Sequence, residues 1–129
     1  MLAASREGVR LDPETIAACI DACLSCGQAC TACADACLAE DDVAELRTCI
    51  RLDWVCAGAC SALVGALSVR AGHTETLVAL LRACRTACAA CAEECEQHAK
   101  HHRHCAICAE ECRACERACD ALLGALDSR

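Results

Sequence analysis

Eighteen cysteines stand in a chain of 129 residues, about 14%, where roughly 8–10% already makes cysteine the organising feature of a sequence. Their spacing is regular. Cys19, Cys23, Cys26, Cys30, Cys33 and Cys37 advance by alternating steps of four and three. Cys105, Cys108, Cys112, Cys115 and Cys119 repeat the rhythm, as do Cys84, Cys88, Cys91 and Cys95. Cys49, Cys56 and Cys60 make a fourth, thinner set. At about 100° per residue, such steps hold the thiols of one segment within roughly ±40° of a line along a helix. A bundle ordinarily places Leu and Ile at those positions. Four stripes turned toward one another would line the interior with thiols.

Three chemistries compete for such an interior. Cysteine as a small hydrophobe accounts for one or two per helix, but not for four matching stripes. A core of Cys and Ala also buries little apolar area per residue. Disulfides fit poorly, because residues four apart on a helix are about 5–6 Å apart at Cβ, whereas a disulfide prefers about 3.8 Å. Metal is left, and the pattern selects among metals. Structural zinc takes four ligands, usually from loops, and iron–sulfur clusters use loop-borne motifs. Here C-x₃-C alternates with C-x₂-C along uninterrupted helical stretches. A two-coordinate soft cation suits this better, since two metal–sulfur bonds of about 2.3 Å span ~4.6 Å, within reach of an i, i+4 thiol pair. Charge points the same way. Roughly one monovalent ion per thiolate leaves the interior near neutral, whereas each tetrathiolate zinc site would leave about −2 inside. Cu(I), at many ions per chain, is the expected cargo.

The segments that must carry the stripes read as helices throughout. Asp12-Pro13-Glu14 is a helix start, with Asp as N-cap and Pro at the first helical position. Asp41 and Asp42, with Glu45 behind them, mark a second start, and Gly72 a stop. Thr74 is an expected N-cap for a third helix. The spacing predicts helices over about 13–39, 42–70, 74–98 and 101–126, with 29 alanines to support them. The expected fold is all-α, an antiparallel four-helix bundle with a cysteine-lined core, in a single domain spanning 1–129.

Net charge is −7, Trp54 is the sole aromatic, and Phe and Tyr are absent. An acidic chain of this kind lacks the basic footprint that nucleic-acid binding requires. The stretch Met1 to Pro13 carries Arg6, Glu7 and Arg10 and has no apolar h-region, so no signal peptide is expected. The longest uncharged run, Trp54 to Val69, is shorter than a membrane span. A cytoplasmic protein with reduced thiols is therefore expected.

The two ends of the bundle should differ. One collects Ile16, Leu63, Leu67, Leu77, Leu81, Leu122 and Leu126 on the stripes, an aliphatic plug. The other collects His98, His101, His102 and His104. His101 is expected to extend the fourth stripe, and His98 to lie near the third. Asp53 falls between Cys49 and Cys56 where the rhythm calls for a thiol, and a carboxylate facing inward must be paired or bind metal. His98, His101, His104 and Asp53 are the expected ligands at this end, ahead of Cys37, Cys49, Cys95 and Cys105.

This arrangement resembles the bacterial copper storage proteins, specifically the cytosolic members without an export signal. The resemblance covers about residues 13–126 and rests on the fourfold cysteine stripe. It implies a homotetramer of bundles, each storing many Cu(I) ions, with C-x₃-C pairs as sites and histidines near the mouth. Carried over, the pairs are Cys19/Cys23, Cys26/Cys30, Cys33/Cys37, Cys56/Cys60, Cys84/Cys88, Cys91/Cys95, Cys108/Cys112 and Cys115/Cys119. Cys49 and Cys105 have no cysteine four residues away, and Asp53 stands where the partner of Cys49 would be. A copper chaperone or a small-thiol donor is the expected partner. A metallothionein-like zinc or cadmium buffer shares the thiols and is the main alternative, with an iron–sulfur or redox protein behind it. No nucleophile–base–orienter set appears apart from the metal ligands, so the chain is not read as an enzyme.

Overall fold

Asp12 takes extended backbone geometry and its carbonyl accepts the Ile16 amide at 3.1 Å, so Pro13 enters the first turn where its missing N–H costs nothing. From there α1 runs over Pro13–Leu38. One turn of 3-10 helix, Val43–Leu46, leads into α2, Arg47–Leu67. α3 spans Thr74–His98 and α4 spans Arg103–Asp127. The structure, a computed structural model, describes residues 11–69 and 72–127. The expected leaderless stretch with Arg6, Glu7 and Arg10, and the expected helix end at Arg70, lie outside the described residues.

Three boundaries differ from the sequence expectation, each for a local reason. The second helix begins at Arg47 rather than near 42, because the tighter 3-10 turn ahead of it carries Leu46 into the core. That helix also stops at Leu67, five residues before Gly72. Ser68 folds back there, its amide on the carbonyls of Val64 and Gly65 and its hydroxyl on Val64 at 2.8 Å. Gly72 serves the link instead, at φ 85°, a backbone conformation that favours glycine. The fourth helix begins at Arg103, and His101 lies in the turn before it. There His98 O accepts the amides of His101 and His102 at 3.1 and 3.0 Å, and His102 O accepts those of Cys105 and Ala106. Carbonyls thus reverse the chain without Gly or Pro.

Sulfur contacts run in opposite senses along neighbouring helices. Cys60 meets Cys84 at 3.8 Å while Cys49 meets Cys95 at 3.4 Å, so α2 and α3 are antiparallel. Each helix packs on two others, α1 on α2 and α4, and α3 on α2 and α4, closing a square. α1 and the segment Val43–Leu67 are long and apolar enough, by length and composition, to cross a membrane. The cysteines that contribute to that apolar composition are turned into the bundle.

At the closed end Leu63, Leu81 and Leu122 are fully buried and Leu67, Leu77 and Leu123 almost so, with Ile16 and Leu126 packed partly buried around them. Full burial of one such side chain stabilises by about 1.5–3 kcal/mol. Leu123 was not expected there, because it lies one residue off the stripe. Most of the remaining interior is thiol, with all eighteen cysteines free and buried and Leu46 and Ile50 buried beside them.

Among the described residues, Asp53 carries the one buried carboxyl group of this core. Its Oδ1 accepts from the thiols of Cys91 at 3.1 Å and Cys108 at 3.3 Å. Burial, with the Cys108 sulfur beside it, pushes its carboxyl up to about 8. Such a group costs stability in one pH direction only. Below the ordinary carboxyl range both folded and unfolded chains hold the proton. Above it the unfolded chain ionises while the folded chain keeps the proton, so stability falls by roughly 1.4 kcal/mol per pH unit until about pH 8.

Two outcomes follow for reduced, metal-free protein. Asp53→Asn should raise the thermal midpoint at pH 8 and leave it nearly unchanged at pH 4. An equal difference at both pH values would show that Asp53 is not held protonated. Because helix starts and the leucine plug need no metal, far-UV circular dichroism should show a four-helix bundle before any copper is added. A coil spectrum that turns helical only on metal addition would overturn this.

Candidate metal centre

The i, i+4 rhythm sets one cysteine of each helix level with cysteines of its neighbours, so the thiols form layers. Cys26 Sγ lies 3.7 Å from Cys56, 3.6 Å from Cys112 and 3.9 Å from Cys88, which touches all three other helices. No backbone contact spans the diagonals α1–α3 and α2–α4 among the described residues. The sulfurs do, at 3.9 Å for Cys30–Cys91 and 3.9 Å for Cys60–Cys115. Alanine flanks the stripes on every helix, and its small bulk lets four helices close until thiols meet at the axis.

Four-donor groups follow one another along this axis. Cys23, Cys60, Cys84 and Cys115 form one, and Cys26, Cys60, Cys88 and Cys115 another. Cys26, Cys30, Cys56 and Cys112 lie next, then Cys30, Cys91, Cys108 and Cys112. Within each group the donor atoms lie within 4.8 Å of one another. The groups overlap, sharing Cys26, Cys30, Cys60, Cys112 and Cys115. A sulfur in two groups is placed to bridge two ions. Sulfurs on a shared ion with bonds of about 2.3 Å are ~4.0 Å apart in trigonal and ~4.6 Å apart in linear coordination. Pairs on one helix stand at 3.9–4.0 Å: Cys33–Cys37, Cys84–Cys88 and Cys108–Cys112. Small rotamer changes reach either geometry. Burial pushes the Cys37 thiol above its ordinary range, with Cys49 and Cys105 adding to the effect, so a thiol of this kind gives up its proton when metal binds.

At the polar end the layer changes character. His104, in the first turn of α4, directs Nδ1 at Cys33 Sγ (3.5 Å), Cys105 Sγ (3.6 Å) and Cys37 Sγ (3.9 Å). Cys33, Cys37, His104 and Cys105 form a mixed donor set. The other nitrogen of His104, Nε2, faces Glu40 Oε2 at 2.9 Å. His102 joins the same carboxylate through Nδ1 at 3.2 Å and reaches Asp42 through Nε2 at 3.0 Å. The Asp42 hydrogen bond holds the His102 imidazole above its ordinary range.

The remaining polar residues do not all stand where the sequence suggested. Asp53 was expected ahead of the first thiols. It lies behind them, with Cys49 at 4.0 Å and Cys95 at 3.9 Å on one side and Cys91 and Cys108 on the other. The slope of α2 carries position 53 one turn inward from Cys49. His101 does not extend the fourth stripe, because it precedes α4 and its side chain is exposed without a partner among the described residues. His98 closes on its own helix, Nε2 on Glu94 Oε2 at 3.0 Å. Glu40 escaped the sequence reading, and Asp42 entered it only as a helix start, not as a partner of His102. The signal that could have found them is their place directly after the last thiol of α1, opposite a histidine run.

Comparison with known proteins gives this geometry a context. Residues 12–124 match the family model described as copper storage protein. A cytosolic copper storage protein from Streptomyces lividans, solved with five coppers, is 54% identical at a TM-score of 0.85, covering 86% of this chain and 93% of that one. The Cu(I)-bound copper storage protein BsCsp3 is 36% identical at a TM-score of 0.73, covering 83% and 96%. An uncharacterized cysteine-rich protein of Bacillus subtilis, YhjQ, is 38% identical over 105 residues, 81% of this chain and 93% of that protein. With the stripes, the thiol layers and the matched length in agreement, the chain belongs to the copper storage protein family.

Proposed function

We propose that this chain is a cytosolic store for Cu(I), holding many ions through thiolates inside the bundle. The overlap of the four-donor groups carries the reading. A closed tetrathiolate site uses each sulfur once, whereas sulfurs common to successive groups suit thiolate-bridged clusters of a soft monovalent ion. Neutrality supports it too, since one Cu(I) per thiolate cancels the buried charge. The Streptomyces lividans relative is described as cytosolic and has been solved with five coppers and with 10 copper equivalents. The proposed ligands are the eighteen thiols and, at the polar end, His104, with Asp53 as a carboxyl group among the first two thiol layers that gives up its proton when metal binds. His98 and His101 stand outside as capture groups for an arriving ion. No group in this arrangement is set to activate a substrate, so storage rather than catalysis is the reading.

Loading runs from the polar end. Leucines fill the other end and offer a desolvated ion no donor. Imidazole binds Cu(I) less tightly than thiolate does, so an ion taken by His104 can still pass inward. A copper chaperone or small thiol would deliver it there. Trp54, Val55 and Leu24 are exposed on α1 and α2, which supports association of bundles as the homotetramer that the family resemblance implies.

Anaerobic titration with mass spectrometry should find on the order of 18–20 Cu(I) per chain. A plateau at about four or five metals would indicate separate tetrathiolate sites and the zinc reading instead. His104→Ala should slow uptake from a Cu(I) donor by about tenfold while leaving nearly all of the capacity. Equal stopped-flow rates would place the loading route elsewhere.

A further inference from the structure

The side chains around His104 carry an arrangement that storage in thiols does not by itself call for. A carboxylate has no hydrogen to give, so in the 2.9 Å contact between His104 Nε2 and Glu40 Oε2 the ring nitrogen must be the donor. A neutral imidazole has one N–H. With that hydrogen on Nε2, Nδ1 is bare, and Nδ1 is the atom set 3.5–3.9 Å from the sulfurs of Cys33, Cys105 and Cys37. The opposite tautomer would turn an N–H toward those sulfurs and offer a metal no lone pair.

Glu40 is itself held in place. Its amide donates to Cys37 O at 3.2 Å, which ties it to the last turn of α1 beside two of the three thiols concerned. Its Oε2 also meets His102 Nδ1 at 3.2 Å, and His102 is anchored on Asp42 at 3.0 Å. The chain Asp42–His102–Glu40–His104 therefore crosses from the loop after α1 to the start of α4 and ends on the thiols.

We propose that Glu40 is a positioning residue that fixes His104 in its Nε2–H tautomer, with the Nδ1 lone pair presented to Cys33, Cys37 and Cys105, and that His102 holds Glu40 in register. The inference rests on the copper reading for its purpose. Its geometry stands in the metal-free protein. Carboxylates behind metal-bound histidines commonly contribute 10–100-fold to metal affinity by fixing ring and tautomer.

The test begins without metal. In ¹⁵N-edited NMR of reduced protein, His104 should show one tautomer, with hydrogen on Nε2. Glu40→Ala should give a mixed population. Glu40→Gln, whose amide oxygen can still accept from Nε2, should restore most of the single tautomer. In competition with a chromophoric Cu(I) chelator, Glu40→Ala should weaken the first equivalents by about tenfold and leave the total uptake unchanged, with Glu40→Gln close to wild type. Wild-type nitrogen shifts for His104 in Glu40→Ala would overturn the proposal, as would equal losses in the Ala and Gln variants. A shortfall in total copper in wild-type protein would instead count against the storage reading, leaving the tautomer result standing.

Discussion

Everything in this molecule depends on bringing buried sulfurs within 3.4–3.9 Å of one another across four helices. An ordinary bundle core fills its axis with branched side chains whose bulk sets the distance between helices. Cysteine is too small for that role, so the helices must approach more closely, and alanine beside each stripe permits it. The result is an interior in which most thiols contact thiols on other helices. Stability must then come largely from elsewhere, and the leucine cluster at the closed end is where the sequence supplies it.

Separating the plug from the thiol column also gives the column a direction. Leucines supply packing at one end without ligands. At the other end the chain reverses over 99–102 through backbone carbonyls, which brings His102 and His104 over the mouth. The layers grade inward from a mixed nitrogen–sulfur set, past a carboxyl group held protonated among thiols, to sulfur alone. An ion moving along that series exchanges a mixed nitrogen–sulfur set for sulfur alone, the softer donor, so the two ends of the series favour inward movement.

Asp53 shows how local chemistry and global placement can part. It interrupts the cysteine rhythm of α2, and the interruption is plain in the sequence. What it does there depends on its neighbours. With Cys91 and Cys108 as its hydrogen-bond donors and no basic group beside it in the core among the described residues, the carboxyl stays protonated where a surface aspartate would ionise. A paired carboxylate and a buried carboxylic acid look alike in one dimension.

Four helices, the inward stripes, the leucine end and the soft-metal chemistry were legible in the sequence, because the 3.6-residue period converts spacing directly into a shared face. The alternating steps from Cys19 to Cys37 leave no other face available. What the period does not contain is height along the axis relative to another helix, and that depends on the links. The 3-10 turn before Arg47 and the late start of α4 at Arg103 set the register between helices. They set Asp53 against Cys91 and Cys108, leave His101 in solvent, and bring His104 over Cys33 and Cys105. Glu40 and His104 are 64 positions apart, and no local pattern joins them. Their contact arises where the end of one helix meets the beginning of another, so only the folded chain decides which histidine faces the thiols and which of its nitrogens is free to bind.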